Sequence, residues 1–309
     1  MKLEVRDLHK SFGEKEVLKG ISFSIESGKA LGLLGRNGAG KTTTIRILMD
    51  VFRANSGDIF MNDNKFVPKN FKIGYLPEER GLYPKRTVTE QMTYLARLRG
   101  ATKKEALKST EKWLNRLEIS EYKDKLLETL SKGNQQKVQL AATLVSDPDI
   151  VILDEPFSGL DPVNSQILQD VVNELIEIGK IVIFSSHQMS YVEEFCKDIV
   201  IINNGEVVLS GDLMEIKREF GNNQIVISGK DIDTDEMTEF VKTKMSDIVE
   251  CTGISRDCVI VKLINNSTKK DILKRLCEFD DFELEHLEDY KPSLNEIFVA
   301  KVGEQHEEI

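Results

Sequence analysis

The sequence predicts an α/β fold with a core built on a parallel sheet, and three short apolar runs carry this prediction. They are ALGLLG (30–35), IVILDE (150–155) and IVIFSSH (181–187), each continuous and each ending in small or polar residues. Runs of this kind are typical of parallel strands that are buried on both faces. Because ligands bind beyond the carboxyl ends of such strands, the polar groups at these three ends should converge on one site.

Composition narrows the class of protein. The chain has 309 residues, of which 40% are hydrophobic and 30% charged, which is enough for two or three compact units. A net charge of -10 argues against a nucleic-acid partner, because such surfaces neutralise phosphates with basic residues. The four cysteines form no C-x-x-C pair, which favours reduced thiols over a disulfide or metal site. No apolar run reaches the roughly 18 residues that a membrane span needs, so a membrane role would require another polypeptide.

The apolar patterns divide the chain into segments. Residues 3–28 alternate between apolar and polar, which predicts two antiparallel strands joined near Gly13. Residues from about 88 to 146 carry apolar residues at helical spacing, which predicts an inserted helical subdomain. The first domain is therefore expected to be an α/β core with an antiparallel β subdomain and a helical subdomain, over residues 1–222.

The pattern changes after residue 222. The following residues predict the order β-α-β-β-α-β, with helices near 235–245 and 269–279. This order suffices for a small α+β accessory domain over residues 223–302. Residues 303–309 are expected to be a flexible tail.

GRNGAGKT, residues 35–42, is a phosphate-binding loop motif, G-x-x-x-x-G-K-[ST], between a buried strand and an amphipathic helix. Glycines let backbone N–H groups turn inward as an anion nest, and the helix that follows directs its positive end at the phosphates. Lys41 would reach the β and γ oxygens, and the Thr42 hydroxyl would ligate magnesium. The residues expected to contact nucleotide are Gly35, Arg36, Asn37, Gly38, Ala39, Gly40, Lys41, Thr42 and Thr43.

The other two strand ends carry candidate catalytic groups. Asp154 would hold magnesium through water, and Glu155 would orient and deprotonate the attacking water. The alternative is a strand that simply ends in a polar turn. His187 follows the third strand, where an imidazole could contact the γ-phosphate or hold the water; taken alone, it would be incidental.

Four segments in this order, GRNGAGKTT, LSKGNQQ, VILDEPFSGLD and SSHQM, resemble the nucleotide-binding subunit of an ABC transporter. The resemblance covers about residues 1–222 and implies ATP and Mg²⁺ as ligands. It implies that Phe12 stacks on adenine, although the family more often has tyrosine at this position. It also implies that Asp161 lines a dimer interface and that His187 is the switch histidine. The alternative for Phe12 is a core aromatic of the first sheet.

LSKGNQQ, residues 130–136, matches the signature sequence of that family. The resemblance implies that Ser131 and Gly133 touch the γ-phosphate held by a second copy, so that a homodimer forms two shared ATP sites. The charge that develops on a transferred phosphoryl group needs donors on more than one side, which agrees with this arrangement. Lys132 and Asn134 depart from the usual signature glycine and glutamine.

Glu78 is a second departure. It stands where the family usually has a glutamine that ligates magnesium and senses the membrane subunit. A carboxylate can also ligate magnesium. The alternative is that Glu78 points to solvent.

Together these features predict an ATP-binding and ATP-hydrolysing subunit that powers a separate transmembrane permease. Such a subunit would be cytoplasmic, held at the inner face of the cell membrane by the permease. The segment from Gln224 to KPSLNEIFVAKV resembles the extra domain of ABC-2 exporter subunits, which favours export. The alternatives are a non-transport ABC ATPase of DNA repair or translation, and a regulatory module that binds ATP without hydrolysing it. A GTPase is disfavoured because no N-K-x-D motif follows the phosphate loop.

Overall fold

A computed structural model of the chain describes residues 1–79, 81–157, 160–255, 257–279 and 282–303. The chain divides into two compact units. Unit 1 comprises Met1–Leu213 with the described residues from Lys301, and unit 2 comprises Met214–Ala300. The domain boundary at residues 222 and 223 stays a proposal, and the expected tail lies outside the described residues from residue 304 on.

The elements of unit 1 alternate between strands and helices. In chain order they are β1 (Lys2–Phe12), β2 (Lys15–Glu26), β3 (Lys29–Leu34), α1 (Lys41–Leu48), β4 (Ser56–Met61), β5 (Asn64–Lys65), β6 (Ile73–Leu76), α2 (Val88–Leu98), α3 (Lys103–Arg116), α4 (Lys132–Leu144), β7 (Ile150–Asp154), α5 (Pro162–Glu177), β8 (Ile181–Ser185), α6 (Met189–Phe195), β9 (Asp198–Asn203) and β10 (Glu206–Asp212). Three short 3₁₀ segments lie at Pro68–Asn70, Ser120–Tyr122 and Leu127–Thr129.

The first sheet of unit 1 is antiparallel, with strand order β2-β1-β4-β5. Strands β1 and β2 are joined at Gly13, as their alternating pattern predicts. The register of β1 shifts against β4 between Arg6 and His9, so this strand bends away from regular pairing. One face of the sheet carries Leu3, Leu18 and other apolar side chains into the core.

The second sheet has the order β10-β9-β3-β8-β7-β6 and forms the centre of unit 1. Strands β3, β7 and β8 are neighbours and run parallel, which confirms the expected α/β core. All residues of β7 and β8 are buried, because helices and the first sheet cover both faces of a parallel sheet. The carboxyl ends of the three strands lead to the phosphate loop, to Asp154 and to Ser185, all at one edge of the sheet.

Residues 88–144 are largely helical, as predicted. Helices α2 and α3 each begin with a capping box. A threonine side chain accepts a hydrogen bond from the backbone N–H of a glutamate three residues later, and the side chain of that glutamate accepts one from the backbone N–H of the threonine. Helix α4 begins after Ser131, and its residues from Gln136 to Leu144 are all buried. This burial makes α4 the central helix of the subdomain.

Unit 2 contains the predicted β-α-β-β-α-β order. Its elements are α7 (Leu213–Phe220), which begins at the last residue of unit 1, then β11 (Gln224–Gly229), α8 (Thr234–Lys244), β12 (Val249–Ser255), β13 (Cys258–Leu263), α9 (Lys269–Leu276), β14 (Leu284–Asp289) and α10 (Leu294–Gly303). The sheet is antiparallel with order β12-β13-β11-β14. Apolar residues of β11 and β13 pack with Val241 of α8 and Ile272 of α9 in a separate core. Within the described residues, no helix is long and apolar enough to cross a membrane.

The close approach of β1 and β4 depends on Gly57. Its φ is +85°, and a Cβ at this position would lie 2.1 Å from the carbonyl oxygen of Asp7. Gly100 has a similar φ of +91° but has nothing within 4 Å of such a Cβ. We expect Gly100→Ala to destabilise unit 1 by about 1–2 kcal/mol through the left-handed backbone alone. Gly57→Ala should cost roughly 1–3 kcal/mol more, because the strands must separate.

The measurement is urea denaturation followed by the fluorescence of Trp113, the single tryptophan of the chain, which lies in unit 1. Equal free energies of unfolding for the two variants would contradict this prediction, because they would mean that the clash between the new Cβ at position 57 and the Asp7 carbonyl oxygen costs no stability.

Candidate active site

The phosphate loop connects β3 to α1 through residues 35–40. Gly35, Gly38 and Gly40 have φ values of +155°, +82° and +117°. A Cβ on Gly35 would lie 2.4 Å from the carbonyl oxygen of Ile202, so only glycine allows this path. Helix α1 has no side-chain cap at Gly40 and no acidic residue in its first turn. Its positive end is therefore available to an anion.

Lys41 extends back over the loop. Its Nζ donates to the carbonyl oxygen of Gly35 at 2.6 Å and to that of Arg36 at 3.3 Å. Burial lowers the pKa of Lys41, and the nearby carboxylates of Asp154, Glu155 and Glu78 oppose this effect. Lys41 thus lies among three acidic groups while it stabilises a loop shaped for phosphate. The side chains of Arg36, Asn37 and Thr42 are exposed, and that of Thr43 is half-buried.

Asp154 is the last residue of β7 and is only 6% exposed. Burial raises the pKa of Asp154, whereas Lys41 and a hydrogen bond from Tyr75 lower it. Tyr75 Oη donates to Asp154 Oδ2 at 3.4 Å. Burial and the charge of Asp154 raise the pKa of Tyr75 to about 12, so its hydroxyl keeps the proton that it donates. A cation bound beside Asp154 would offset the cost of burying its charge.

Glu155 is 7% exposed and lies in the left-handed region, with φ of +50°. Its Oε2 accepts a hydrogen bond from Ser186 Oγ at 3.0 Å. Its Oε1 accepts from the backbone N–H of His187 at 2.8 Å and lies 2.7 Å from Nδ1 of the His187 ring. The structure thereby brings together the proposed base and the proposed switch histidine, which come from different strand ends.

The donor set near Lys41 fits a magnesium ion. Thr42 offers a hydroxyl, and Asp154 and Glu78 offer carboxylates, so the donors are all oxygen atoms, which Mg²⁺ prefers. The described residues contain no group of three or more His, Cys, Asp or Glu side chains arranged to hold a metal. Oxygen atoms of a phosphate ligand would therefore have to complete the coordination, which is usual for Mg²⁺.

Phe12 lies at the end of β1 and is 50% exposed, so it is not a core residue of the first sheet. The ring of Phe52 meets it edge-on at 5.3 Å, and Lys10 Nζ lies 5.1 Å from its centroid. These contacts hold the ring in place while much of its surface stays open, which suits stacking against a planar base.

The signature residues lie at the N-terminus of α4. Ser131 caps the helix, since its Oγ accepts from the backbone N–H of Asn134 at 3.3 Å, and both Ser131 and Lys132 are exposed. Asp161 caps α5 in the same way. A Cβ on Gly133 would lie 3.4 Å from Nδ2 of Asn164, so the two helix N-termini are adjacent. Among the described residues, no hydrogen bond or ion pair joins Ser131, Gly133 or Asp161 to the phosphate loop.

Sequence reasoning missed several contacts of this site. Tyr75 bonds Asp154, Ser186 bonds Glu155, and Gln136 Nε2 donates to the carbonyl oxygen of Pro156 at 3.0 Å. The serine pair before His187 was the available signal, because small hydroxyl residues at a strand end can reach the neighbouring strand end. Nothing in the sequence marked Tyr75 or Gln136 as a neighbour of the carboxylates.

Comparisons with known proteins identify families that this chain resembles. Residues 18–158 match the ABC transporter family model, and residues 211–302 match the C-terminal domain described as ATP-binding protein DrrA1-3-like. Residues 126–193 also match a model described as AAA domain, putative AbiEii toxin, Type IV TA system.

Relatives extend the likeness over the whole chain. The ABC transporter ATP-binding protein YhaQ of Bacillus subtilis is 40% identical, with 99% of this chain and 100% of the relative covered. The linearmycin resistance ATP-binding protein LnrL of the same organism is 34% identical over 72% of this chain and 73% of its own length. A solved ATP binding subunit of an ABC transporter has a TM-score of 0.66 at 31% identity, covering 72% of this chain and 94% of that chain.

The exposed ring of Phe12 yields a test of base binding. Base–aromatic stacking contributes roughly 1–3 kcal/mol, so Phe12→Ala should weaken ATP binding about 5- to 150-fold, whereas Phe12→Tyr should keep it. Calorimetric titration with ATP measures the effect, and inorganic triphosphate, which has no base, should bind the variant and the wild type equally.

Val51→Ala is the matched control, because Val51 is another exposed apolar side chain of unit 1, 62% accessible. Unchanged ATP affinity in Phe12→Ala would remove Phe12 from the base site.

Proposed function

The chain belongs to the family of ABC transporter ATP-binding subunits, with a DrrA-like C-terminal domain, and we propose that it hydrolyses ATP in a homodimer to drive a separate membrane permease. One observation carries the proposal of hydrolysis. Lys41, Asp154 and the Glu155–His187 pair converge at the carboxyl ends of adjacent parallel strands, next to a loop shaped for phosphate. The family itself is one of nucleotide-binding ATPases.

The proposed reaction uses groups that are already close together. The phosphates would replace the carbonyl oxygen of Gly35 as acceptor of the Lys41 ammonium, because a charged acceptor binds it more strongly. Glu155 would accept a proton from the attacking water as the water oxygen bonds to the γ-phosphorus and the bond to ADP breaks. Before this step, the His187 ring would leave Glu155 Oε1 and turn to the γ-phosphate, which frees Oε1 for the proton.

Magnesium belongs to this proposal: Thr42 and Glu78 would be its ligands, and Asp154 would hold it through water. The ion would neutralise charge on the β and γ oxygens of ATP. Glu78 is exposed, and its charge acts on Lys41, so it lies near enough to the loop to take part. This position supports a functional role for Glu78 over a side chain that only meets solvent.

A second copy of the chain would complete the site. Ser131 and Gly133 stand at a helix N-terminus with no acidic residue in its first turn, which is suited to an anion. They make no hydrogen bond to their own phosphate loop within the described part of the chain. A two-fold dimer would bring them to the ATP of the partner copy, with Asp161 in the interface, and would form two equal sites.

The surface around helix α2 supports the proposal of a permease partner. A cavity of about 410 Å³ is lined by Tyr83, Arg86, Glu90, Gln91 and Tyr94. Gln91 is 2% exposed, and its Nε2 finds no hydrogen-bond partner among the described residues. Tyr83 and Tyr94 are more than half exposed beside it. A partner segment that inserts between the two exposed aromatic rings would fill this cavity and bury their apolar surface.

Export is the proposed direction of transport, and the inner face of the cell membrane is the proposed location. The DrrA-like C-terminal domain and the likeness to a linearmycin resistance ATP-binding protein support export. Contacts with the cargo would lie in the permease.

Glu155→Gln tests the proposed hydrolysis. The amide keeps the size of the side chain but cannot accept the proton, so turnover should fall at least about 100-fold while ATP binding persists. The trapped ATP complex should run as a dimer in light scattering, whereas the ATP-free protein should be monomeric. Full turnover in this variant would exclude Glu155 as the base.

The control for the dimer is Ser131→Arg in the Glu155→Gln background. A bulky cation at the exposed helix end should prevent the two copies from closing, while the phosphate loop still binds ATP in the monomer. If the double variant still dimerises with ATP, the signature residues do not form part of a shared site.

Tyr94→Asp tests the partner surface. A carboxylate at the mouth of the cavity should remove most of the co-purification with a polytopic membrane protein from detergent-solubilised membranes, because burying an unpaired charge is costly. ATP hydrolysis by the isolated subunit should be unchanged. Leu107→Asp on α3 is the control, since Leu107 is also exposed but does not line the cavity. Equal loss with both variants would contradict a specific surface at Tyr94.

A further inference from the structure

The backbone of Glu155 is in an unfavourable conformation for its sequence. Its φ of +50° is uncommon for a residue other than glycine. Pro156 follows directly, and a residue before proline normally adopts an extended conformation. Conformations of this kind persist only where surrounding contacts hold them, and they occur often at functional sites.

Contacts from the end of β8 hold Glu155. Its backbone N–H donates to the carbonyl oxygen of Ser185 at 2.9 Å. Its carboxylate accepts from the Ser186 hydroxyl and from the His187 backbone N–H. The backbone and the side chain of Glu155 are therefore both fixed to the three residues 185–187, at and just after the end of β8.

The Ser186 hydroxyl has a defined orientation. Ser186 is 2% exposed, and its Oγ accepts a hydrogen bond from the backbone N–H of Gln188 at 3.0 Å. Because that contact occupies a lone pair of Oγ, the hydroxyl hydrogen is free to point at Glu155 Oε2. The direction of this hydrogen bond is thus set by the backbone after β8.

The two oxygen atoms of the Glu155 carboxylate differ in their surroundings. Oε1 faces the His187 ring, whose side chain is 69% exposed. Oε2 faces Ser186, which is buried. Oε1 also accepts from the His187 backbone N–H, so of its two partners only the ring has room to move, whereas the partner of Oε2 does not.

We propose that Ser186 is a positioning residue for hydrolysis: it holds Glu155 by Oε2, so that Oε1 accepts the proton of the attacking water once the His187 ring has moved. This inference rests on the proposed function of Glu155. Ser186 contacts neither the nucleotide nor the water, and it acts only through the orientation of the carboxylate. Without the hydroxyl, the His187 backbone N–H would be the remaining fixed contact of the carboxylate, and the carboxylate of Glu155 could rotate about it and away from the reacting atoms.

The test compares ATP hydrolysis by the full chain carrying Ser186→Ala, Ser186→Thr or no substitution. Ser186→Ala should lower kcat about 10- to 100-fold, the range that misplacement of a catalytic group produces, with KM for ATP unchanged. Ser186→Thr keeps a hydroxyl and should restore most of kcat. Formation of the ATP-dependent dimer should be the same in all three proteins, because Ser186 makes no contact with ATP or a second copy in the proposal.

A double variant separates positioning from a structural role. In the Glu155→Gln background, Ser186→Ala should cause no further loss of the residual turnover, because its effect passes through the carboxylate alone. Ser109→Ala is the matched control. Like Ser186, Ser109 donates a hydrogen bond from its Oγ, but its acceptor is the backbone carbonyl oxygen of Val145, away from the site. It should leave kcat within about two-fold of the wild type.

Ser186→Cys covers the case in which the alanine variant does not fold. It keeps the volume of the side chain with a weaker donor, and it should also lower kcat at constant KM. A kcat within about two-fold of the wild type in a folded alanine or cysteine variant would overturn the inference, as would a further loss in the Glu155→Gln background. If the wild type hydrolyses ATP and Glu155→Gln does not, these failures concern Ser186 alone; a wild type without turnover would instead remove the proposed function.

Discussion

The burial of two carboxylates at the end of one strand is the constraint on which the site depends. Asp154 and Glu155 are consecutive and buried, at 6% and 7% exposed, and burial penalises the charged form of Asp154. A hydrogen bond from Tyr75 and the charge of Lys41 offset that cost at Asp154, and hydrogen bonds from Ser186 and the His187 backbone hold the carboxylate of Glu155. These partners come from β6, α1 and the end of β8, so the order of strands in the sheet determines which groups can hold the carboxylates.

Helix α4 connects this cluster to its surroundings. Gln136 donates to the carbonyl oxygen of Pro156, directly after Glu155, and Gln139 donates to the carbonyl oxygens of Pro77 and Glu79 on either side of Glu78. Both glutamine side chains are buried, so these bonds are shielded from water. The helix that presents Ser131 at its N-terminus therefore holds the backbone at the proposed base and at the proposed metal ligand. In the proposed dimer, a shift of α4 would act on both.

The sequence predicted the parts of the fold that have a strong local pattern. Strands β3, β7 and β8 were predicted because they are continuous apolar runs, and the helices from 88 to 144 because of their spacing. Helix α10 and strands β9 and β10 lie outside the patterns from which the sequence predicts elements. In the site, Lys41, Asp154, Glu155 and His187 were predicted from motifs at strand ends. The left-handed backbone of Glu155 and its hydrogen bond from Ser186 are not predicted from the sequence. They depend on how closely the ends of two strands approach each other, and no local sequence pattern gives that distance.

The two departures from the usual family residues change charge in opposite directions. Lys132 adds a positive charge beside Ser131, and Glu78 adds a negative charge near Lys41. Within one copy, Glu78 lies near the phosphate loop and Lys132 lies among the signature residues. In the proposed dimer both would face the same triphosphate, Glu78 from the copy that binds it and Lys132 from the partner copy. Exposed charges of this kind interact weakly through water and more strongly once a closing interface excludes it. The pair would therefore leave the net charge around a closed site unchanged while it makes the closed state more dependent on the partner copy.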